Sequence, residues 1–289
     1  MNRPRISLKD AVAICSQVGA NASTSSQSRE TQAQIQGKTE GRTTIVYVVS
    51  PDREAQLFAS LSSLLASASK FDRVRICCVG VPPPHWRFAD ERIAVEVVEP
   101  LFGEHFFGNK LHLCDTAADR VVFLDADTVV LQPLDRIWAN RTEHFLARPE
   151  RPVMRHLSGL CSASCTCGTW NPKVWQQLFE TIKAEEVPMF NAGLLIFQHS
   201  SHLRIRYSWK TLLHRFYRRA LPFPSRDERM LEQWSLAMAI ASEKFSFAEL
   251  GPETHAFGWL GNDGAGCTVF HFGDHLWRST VATDNILRS

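Results

Sequence analysis

The sequence lacks the long apolar runs that membrane-spanning helices need. None of its stretches comes near the roughly 18 consecutive apolar residues of such a helix, and the amino terminus has no apolar segment ahead of a cleavage site. An excess of charge is also missing, because 32 basic and 30 acidic residues give a net charge of +2. A sequence-wide footprint for nucleic acid is therefore absent. We expect a soluble, cytoplasmic protein without a nucleic-acid partner.

The sequence also lacks the paired C-x2-C spacing of structural zinc sites, although it contains 8 cysteines. Cys77 and Cys78 lie inside an apolar strand pattern, where a free cysteine packs as a small hydrophobic residue. The cluster of Cys161, Cys165 and Cys167 in CSASCTC has no spacing that identifies a metal. A reduced intracellular setting accounts for all 8 cysteines, and the role of the cluster stays open.

The chain divides into a polar tail and one domain. Residues 1–43 are rich in Ser, Thr and Gln and can bury little, so we predict a disordered tail, and residues 44–289 form a single domain. This domain begins with helical patterns, from Pro51 and over 108–118, that alternate with strand patterns at 44–50, 73–80, 92–100 and 120–127. The alternation predicts an α/β fold with a mainly parallel, Rossmann-like sheet and helices on both faces.

The second half of the domain continues the alternation. We predict a helix near 171–185, a buried strand at 188–198, a helix at 226–241 and a final strand at 267–277. A basic segment, residues 204–219, carries six Lys or Arg residues and His214. Two interpretations of this segment stay open: the solvated face of an amphipathic helix, or a docking surface for a phosphorylated or membrane-bound acceptor.

Two carboxylates follow the apolar run Val121–Leu124. If the strand continues, its side-chain period of two turns Asp125 and Asp127 to the same side, where their like charges repel. Ligands of a parallel α/β sheet bind beyond the carboxyl ends of the strands, which is where these acids lie. A divalent cation between them removes the repulsion, and hard carboxylates favour Mn²⁺ or Mg²⁺. His271, after the last apolar pattern, is the candidate imidazole ligand, and it tips the preference toward Mn²⁺.

From Thr44 onward the order of motifs resembles glycosyltransferase family 8, whose members are retaining enzymes with the GT-A fold. The resemblance rests on FLDADTVVLQPLDRIW at 123–138, MFNAGLLIF at 189–197 and the His-Phe pair at 271–272. It implies a GT-A-type domain that moves a hexose from a nucleotide-diphosphate sugar, UDP-glucose or UDP-galactose, to an acceptor that the sequence does not identify. It also implies a divalent metal cofactor, Mn²⁺ with Mg²⁺ as the alternative.

The resemblance assigns residues to the metal and the nucleotide. Asp125 and Asp127 would hold the cation against the donor's diphosphate, with Asp125 also near the ribose or the sugar, and His271 would be the third protein ligand. The remaining nucleotide contacts would come from a basic residue before the D-x-D strand and from the loop after the first strand, namely Lys110, Ser50 and Asp52.

The resemblance places four further residues around the donor sugar. Asn191 and Gly193 would shape its pocket, the glycine because the backbone passes close to the ligand. Glu232 would bind sugar hydroxyls, and Gln233 would face the anomeric carbon. Because an amide is a poor nucleophile, the front-face mechanism proposed for retaining transferases suits this sequence better than double displacement.

The chain departs from the family pattern at three functional places. The uracil-binding loop after the first strand is altered to VVSPDRE, in which Ser50 and Asp52 are the residues able to serve. The terminal motif HFGDHLW, residues 271–277, lacks the lysine that binds phosphate in the family, and Glu232 is one methylene longer than the usual aspartate. Lys110, His275 and Arg278 are the candidates for the missing positive charge. The length of Glu232 leaves the sugar specificity open.

Two other functions stay open at this point. A degenerate family member would bind a sugar nucleotide or a partner without transferring sugar, which the missing lysine favours. A haloacid-dehalogenase-like phosphatase would use Asp125 as its nucleophile. Such phosphatases place this motif near the start of the domain, whereas three predicted strands precede Asp125 here.

Overall fold

The computed structural model describes residues 41–103, 106–150, 170–225, 227–260 and 264–273. Most of the predicted tail, the cysteine cluster at 161–167 and the end of the predicted last strand lie outside the described residues. All the metal and substrate residues that the family resemblance assigns lie inside them.

Strands and helices alternate through most of the described chain. The strands are β1 (Thr43–Val49), β2 (Arg73–Val79), β3 (Ile93–Val98), β4 (Arg120–Leu124), β5 (Thr128–Val130), β6 (Phe145–Pro149), β7 (Phe190–Phe197), β8 (Phe247–Glu249), β9 (His255–Phe257) and β10 (Val269–His271). The α-helices are α1 (Glu54–Ala66), α2 (Pro172–Ile182), α3 (Ser201–Tyr217) and α4 (Leu231–Ser242). Short 3₁₀ helices cover Pro51–Arg53, Phe106–Asp115, Leu134–Ile137, Glu228–Met230 and Gly258–Leu260. In the described ranges, every helix is too short or too polar to cross a bilayer.

The main sheet has seven strands in the order β3-β2-β1-β4-β7-β6-β8. β3, β2, β1 and β4 run parallel to one another, β7 runs antiparallel to β4 and β6, and β8 runs parallel to β6. This confirms the mainly parallel α/β sheet that the alternation predicted. The carboxyl ends of β1 and β4 therefore lie beside the start of β7, and we call this side of the sheet the carboxyl edge.

Both faces of the sheet are covered, as the continuous apolar strands of a parallel sheet require. Every residue of β1 is buried. Ile45 and Tyr47 pack with α1 on one face, whereas Val46 and Val48 join the core formed with α2, α3 and α4 on the other. Alternate side chains of one strand thus serve two cores, and the central strands are fixed from both sides.

A second, three-stranded sheet has the order β5-β10-β9. β10 pairs antiparallel with β5 and parallel with β9. Because β5 follows β4 after a turn at 125–127, this small sheet continues directly from the carboxyl edge of the main sheet. Its position brings the last part of the described chain back to the turn between β4 and β5.

The predicted boundaries are wrong at several elements. The helix predicted at 108–118 is a 3₁₀ helix over Phe106–Asp115. The helix predicted from 226 begins with the 3₁₀ turn Glu228–Met230 and becomes α-helical at Leu231. Met230, the residue before α4, makes no side-chain cap. The strand predicted to begin at 267 begins at Val269.

Candidate functional site

A turn, and not a continued strand, carries the two carboxylates. β4 ends at Leu124, although the main-chain N–H of Asp125 still donates to Gly193 O of β7 at 3.0 Å. Thr128 then closes the turn, because its main-chain N–H and its hydroxyl both donate to Asp125 O, at 3.2 and 2.7 Å. The strand predicted through Asp127 is therefore wrong, since the local bonds of this threonine replace the next steps of the sheet ladder.

Buried hydroxyl groups tie this turn to the first strand and helix. The Thr128 hydroxyl lies 3.2 Å from Ser60 Oγ of α1, which lies 3.1 Å from the Tyr47 hydroxyl of β1. All three residues are at most 1% exposed. The turn is thereby anchored in the core, and the two carboxylates start from a rigid base.

His271 reaches the turn through the small sheet. The antiparallel pairing of β10 with β5 places His271 opposite Thr128, and Phe272 N donates to Asp127 O at 3.0 Å. His271 Nε2 lies 3.1 Å from Asp127 Oδ1. One ligand atom from each of Asp125, Asp127 and His271 lies within 4.8 Å of the other two. The three residues singled out from sequence therefore form one cluster, which we call the acid–imidazole cluster.

The acid–imidazole cluster fits a divalent cation. With bonds of about 2.1 Å, neighbouring ligands of an octahedral ion lie about 3 Å apart and opposite ligands about 4.2 Å apart. The observed spacing has this scale. Asp125 and Asp127 keep 23% and 19% of their side-chain surface exposed, so an ion and its remaining ligands can reach them. Two hard carboxylates with one imidazole make a donor set for a hard divalent ion.

The pKa values of Asp125 and Asp127 are shifted in opposite directions. Burial raises the pKa of Asp125, and the neighbouring charge of Asp127 adds to this rise against the pull of Lys110. Burial acts in the same direction on Asp127, but the attraction of His271 outweighs it and holds the pKa of Asp127 below its usual range. Burial lowers the pKa of His271, and Asp127 outweighs this effect and raises it. Each acid therefore has its own partner, Lys110 for Asp125 and His271 for Asp127.

Lys110 enters the site from the 3₁₀ helix Phe106–Asp115. Its Nζ donates to Asp125 Oδ2 at 3.0 Å, to Glu232 Oε1 at 3.3 Å and to Ala192 O at 3.5 Å. Burial opposes the ammonium charge, yet Asp125 and Glu232 outweigh it and raise the pKa of Lys110 to about 12. One buried ammonium faces two carboxylates, and this arrangement leaves negative charge that a cation can neutralise.

Glu232 lies in the first turn of α4 and is 2% exposed. Burial raises its pKa to about 7, while Lys110 acts in the opposite direction. Its Oε1 accepts from Lys110, whereas Oε2 has no hydrogen-bond partner among the described residues. A buried carboxylate oxygen without a donor costs free energy, so this oxygen is an open acceptor for a ligand hydroxyl.

The segment Phe190–Gly193 opens β7 beside the acid–imidazole cluster. Asn191 Oδ1 accepts from Gly193 N at 2.8 Å and lies 3.1 Å from His271 Nδ1. A Cβ at Gly193 would lie 2.2 Å from His271 Nδ1, so no larger residue fits without moving the imidazole. Position 193 therefore needs a glycine because the His271 ring lies so close to it. The sequence alone did not indicate this contact.

Glu150 is the site residue that sequence reasoning missed. It follows β6 at the carboxyl edge and is 3% exposed. Its Oε2 accepts from Asn191 Nδ2 at 2.7 Å. In the amide orientation that satisfies its hydrogen bonds, Gln233 donates to Glu150 Oε2 at 3.2 Å and to Phe190 O at 3.1 Å. The available signal was weaker than that for Asp125, because Arg148 and Pro149 separate Glu150 from the apolar residues of FLARPE.

Ser50 and Asp52 lie beside the acid–imidazole cluster and not within it. They follow β1, and the Ser50 hydroxyl donates to Asp52 Oδ1. Because β1 is the parallel neighbour of β4, both residues lie at the carboxyl edge, one strand away from Asp125. Their assignment to a nucleotide base stays a prediction.

No protein-family model and no curated protein matches this sequence. Solved structures do match. The bifunctional glycosyltransferase WbbM has a TM-score of 0.56 at 14% identity over 81% of this chain and 46% of WbbM. The galactosyltransferase LgtC, in complex with donor and acceptor sugar analogues, has 0.53 at 14% identity over 80% of this chain and 87% of LgtC. The glycosyltransferase GlyE of Streptococcus pneumoniae TIGR4 has 0.51 at 14% identity over 81% of this chain and 55% of GlyE.

These likenesses show the fold. The chain is a mixed α/β domain with a large, mainly parallel sheet of the GT-A glycosyltransferase type. It spans less than half of WbbM, about half of GlyE and most of LgtC. The fold predicted from the order of strands, helices and motifs is confirmed.

Proposed function

We propose that this protein is a metal-dependent glycosyltransferase of the family 8 type. It would transfer a hexose from UDP-glucose or UDP-galactose to an acceptor with retention of anomeric configuration. The observation that carries the proposal is the convergence of the acid–imidazole cluster with Lys110 and Glu232 at the carboxyl edge. Sheets of this class bind their ligands at that edge.

In this proposal Asp125, Asp127 and His271 would hold the cation, which would supply positive charge to stabilise the leaving diphosphate. Mn²⁺ is the ion that we propose, because an imidazole joins the two carboxylates, and Mg²⁺ is the alternative. Lys110 is our candidate for the phosphate contact that the family's missing terminal lysine would make. Its buried ammonium lies 3.0 Å from Asp125, which in this proposal would hold the cation against the diphosphate.

Glu232 and Gln233 act on the sugar in this proposal. The open Oε2 of Glu232 accepts a sugar hydroxyl. Glu150 and Phe190 O hold the amide nitrogen of Gln233, which leaves its oxygen to face the anomeric carbon. That oxygen can stabilise developing positive charge, but it is a poor nucleophile. The acceptor hydroxyl therefore attacks from the face of the departing diphosphate, and its proton passes to the leaving phosphate oxygen.

A screen of sugar nucleotides with Mn²⁺ and then Mg²⁺, scoring nucleoside diphosphate release, tests the proposal. We expect metal-dependent release from one UDP-hexose, and no release by Asp127→Asn. Metal-dependent nucleotide binding without any release would instead favour the degenerate sugar-nucleotide-binding protein. Phosphate release from a monoester would favour the phosphatase, and an inverted product anomer would exclude retention.

The basic segment forms most of α3, and we propose it as a peripheral contact with an anionic membrane that carries the acceptor. Residues 201–219 contain no Asp or Glu. Tyr207 and Leu203 are 82% and 42% exposed on the same helix as the basic residues. Helices that lie on membranes combine basic and apolar side chains in this way. α3 also packs against the 3₁₀ helix that carries Lys110, so a membrane held there lies near the site.

Vesicle sedimentation tests this contact. We expect binding to phosphatidylglycerol vesicles that weakens with salt, and little binding to phosphatidylcholine vesicles. Lys210→Glu and Tyr207→Ser should each weaken it, because one reverses a charge and the other removes an exposed ring. Unchanged sedimentation of both variants would exclude α3 as the contact.

A further inference from the structure

One buried carboxylate, that of Glu150, contacts residues on both the metal side and the sugar side of the proposed site. Glu150 Oε2 accepts from Asn191, which contacts the proposed metal ligand His271, and from Gln233, the proposed contact of the donor sugar. We propose that Glu150 is a positioning residue that fixes both the nitrogen which His271 presents to the metal and the amide of Gln233. This inference deepens the proposed function and rests on it for its catalytic consequence.

The orientation of the Asn191 amide is determined by two contacts. Gly193 N lies 2.8 Å from one end of the amide, and a main-chain N–H can only donate, so that end is the oxygen. Glu150 Oε2 lies 2.7 Å from the other end, and a carboxylate oxygen accepts from its N–H. Removal of Glu150 leaves the nitrogen of a 1% exposed amide without its acceptor, so only the N–H of Gly193 then opposes rotation of the side chain toward an arrangement in which that nitrogen finds another acceptor.

This orientation sets the tautomer of His271. Asn191 Oδ1 lies 3.1 Å from His271 Nδ1, and an amide oxygen can only accept, so Nδ1 carries a proton. Nε2 is then the nitrogen that faces Asp127 Oδ1, at 3.1 Å. A metal-ligating histidine depends on such a partner for the lone pair that it presents to the ion.

Packing fixes the plane of the same imidazole. The His255 ring stacks on it with centroids 5.6 Å apart and planes 12° apart, and the Trp259 ring meets it nearly at right angles with centroids 4.9 Å apart. Gly193 closes a further side, because a Cβ there would lie 2.2 Å from Nδ1. The ring therefore cannot swing to compensate for a rotated Asn191, and the chain from Glu150 controls which atom it presents.

The test compares Glu150→Leu, which removes the acceptor, with Glu150→Gln, whose amide oxygen can still accept from Asn191 and Gln233. Glu249→Gln, an exposed position on the neighbouring strand β8, is the control. Mn²⁺ affinity is measured by electron paramagnetic resonance titration without any donor. Heteronuclear NMR of the metal-free protein follows the Nδ1–H signal of His271, assigned by its loss in His271→Gln.

We expect Glu150→Leu to lose about 10- to 100-fold in Mn²⁺ affinity, as other outer partners of metal ligands do. The Nδ1–H signal should disappear in the same variant and persist in Glu150→Gln and Glu249→Gln. The two NMR results hold whether or not the protein transfers sugar, so they separate this inference from the proposed function. If the leucine variant does not fold, Glu150→Ser makes the same test, since it is too short to reach Asn191.

A folded Glu150→Leu or Glu150→Ser protein that keeps both its Mn²⁺ affinity and its Nδ1–H signal would overturn the inference. Loss of turnover alone in such a protein would show that Glu150 contacts a substrate and does not position His271. Equal loss of affinity in Glu150→Gln would also overturn it, because an amide oxygen at that position suffices for the proposed contacts.

Discussion

The acidic residues at the two edges of the main sheet differ in their hydrogen-bond and charge partners. At the amino edge, where β1 and β4 begin, polar residues line an open cavity of about 520 Å³. Its acids bond to main-chain N–H groups: Asp72 Oδ2 accepts from Thr43 N at 2.7 Å, and Asp135 Oδ1 from Lys70 N at 3.2 Å. At the carboxyl edge, acids face a lysine, a histidine and each other, and one carboxylate oxygen has no partner among the described residues.

This difference shows that a cavity by itself does not mark the chemistry. The cavity at the amino edge is bordered by acids whose hydrogen bonds hold the chain in place. At the carboxyl edge, burial raises the pKa of Asp125 and raises that of Glu232 to about 7. Keeping these two acids ionised therefore lowers the free energy of unfolding. Perturbed acids that converge on one point are characteristic of functional sites. Substitutions at the two edges should therefore have separate consequences.

The largest contrast is expected from the acid–imidazole cluster. Asp125→Asn and Asp127→Asn should each lower Mn²⁺-dependent UDP binding by more than about 100-fold, since a ligand matters more than its outer partners. Isothermal titration calorimetry with and without Mn²⁺ measures the effect. Asp72→Asn at the amino edge is the matched control and should bind normally. Unchanged UDP affinity in both cluster variants would refute the metal assignment.

The same two variants should differ in stability. Burial raises the pKa of Asp125, so its charge is unfavourable in the fold, and Asp125→Asn should melt no lower than the wild type. The attraction of His271 lowers the pKa of Asp127, so Asp127→Asn removes a favourable contact and should melt lower. Scanning calorimetry of the metal-free proteins makes the comparison. The reverse order would show that the partners of these two acids are wrongly assigned.

A smaller effect is expected at the sugar side of the carboxyl edge. Gln233→Ala should lower kcat by about 100-fold, because it removes a group that acts as charge develops at the anomeric carbon. UDP affinity should hardly change. Glu232→Ala should also raise KM for the donor, since a carboxylate accepts sugar hydroxyls in the ground state too. Full activity of Gln233→Ala would place this residue outside the reaction.

Gly193→Ala tests whether the acid–imidazole cluster depends on the close approach of the His271 ring to Gly193. The added Cβ would meet His271 Nδ1 at 2.2 Å, so the imidazole must shift away from Asp127. We expect Mn²⁺ affinity to fall by about 10-fold and stability to fall by about 1–3 kcal/mol from overpacking. Gly266→Ala, which strains the backbone at a φ of +79° but brings no atom within 4 Å of the added Cβ, controls for a loss of stability that does not touch the cluster, and its Mn²⁺ affinity should be normal. Normal metal affinity in Gly193→Ala would show that His271 is not a ligand.

The sequence predicted those parts of the fold that long apolar patterns specify. β1, β4 and β7 are continuous apolar runs buried on both faces, and such runs are strands in almost any arrangement of their neighbours. β8 and β9 have three residues each, and their strand geometry depends on partners far along the chain. The turn at 125–127 depends on a hydroxyl bond of Thr128, which leaves no trace in the hydrophobic pattern.

The site residues that belong to a recognisable sequence motif could be predicted. Asp125 and Asp127 lie at a strand end, and the order of motifs led to His271, so the cluster could be assembled without coordinates. Glu150 could not be assigned, because its contact with Asn191 arises only from the pairing of β6 with β7. The link from Lys110 to Glu232 spans 122 positions in the chain, and likewise only the fold creates it.

The last expected effect concerns Glu232 and the pH dependence of stability. Burial raises the pKa of Glu232 from 4.5 to about 7, so the folded state binds the proton more tightly than the unfolded state. Stability therefore falls as the pH rises through this window, by up to about 3 kcal/mol. Glu232→Gln removes the titration, so urea denaturation should show it gaining stability relative to the wild type between about pH 4.5 and about pH 7. Gln233→Leu, a neutral change at the next position, should shift stability equally at every pH. A constant difference in stability between Glu232→Gln and the wild type would mean that Lys110 compensates fully for the burial of Glu232. The acids at the carboxyl edge would then cost the folded state no more free energy than those at the amino edge.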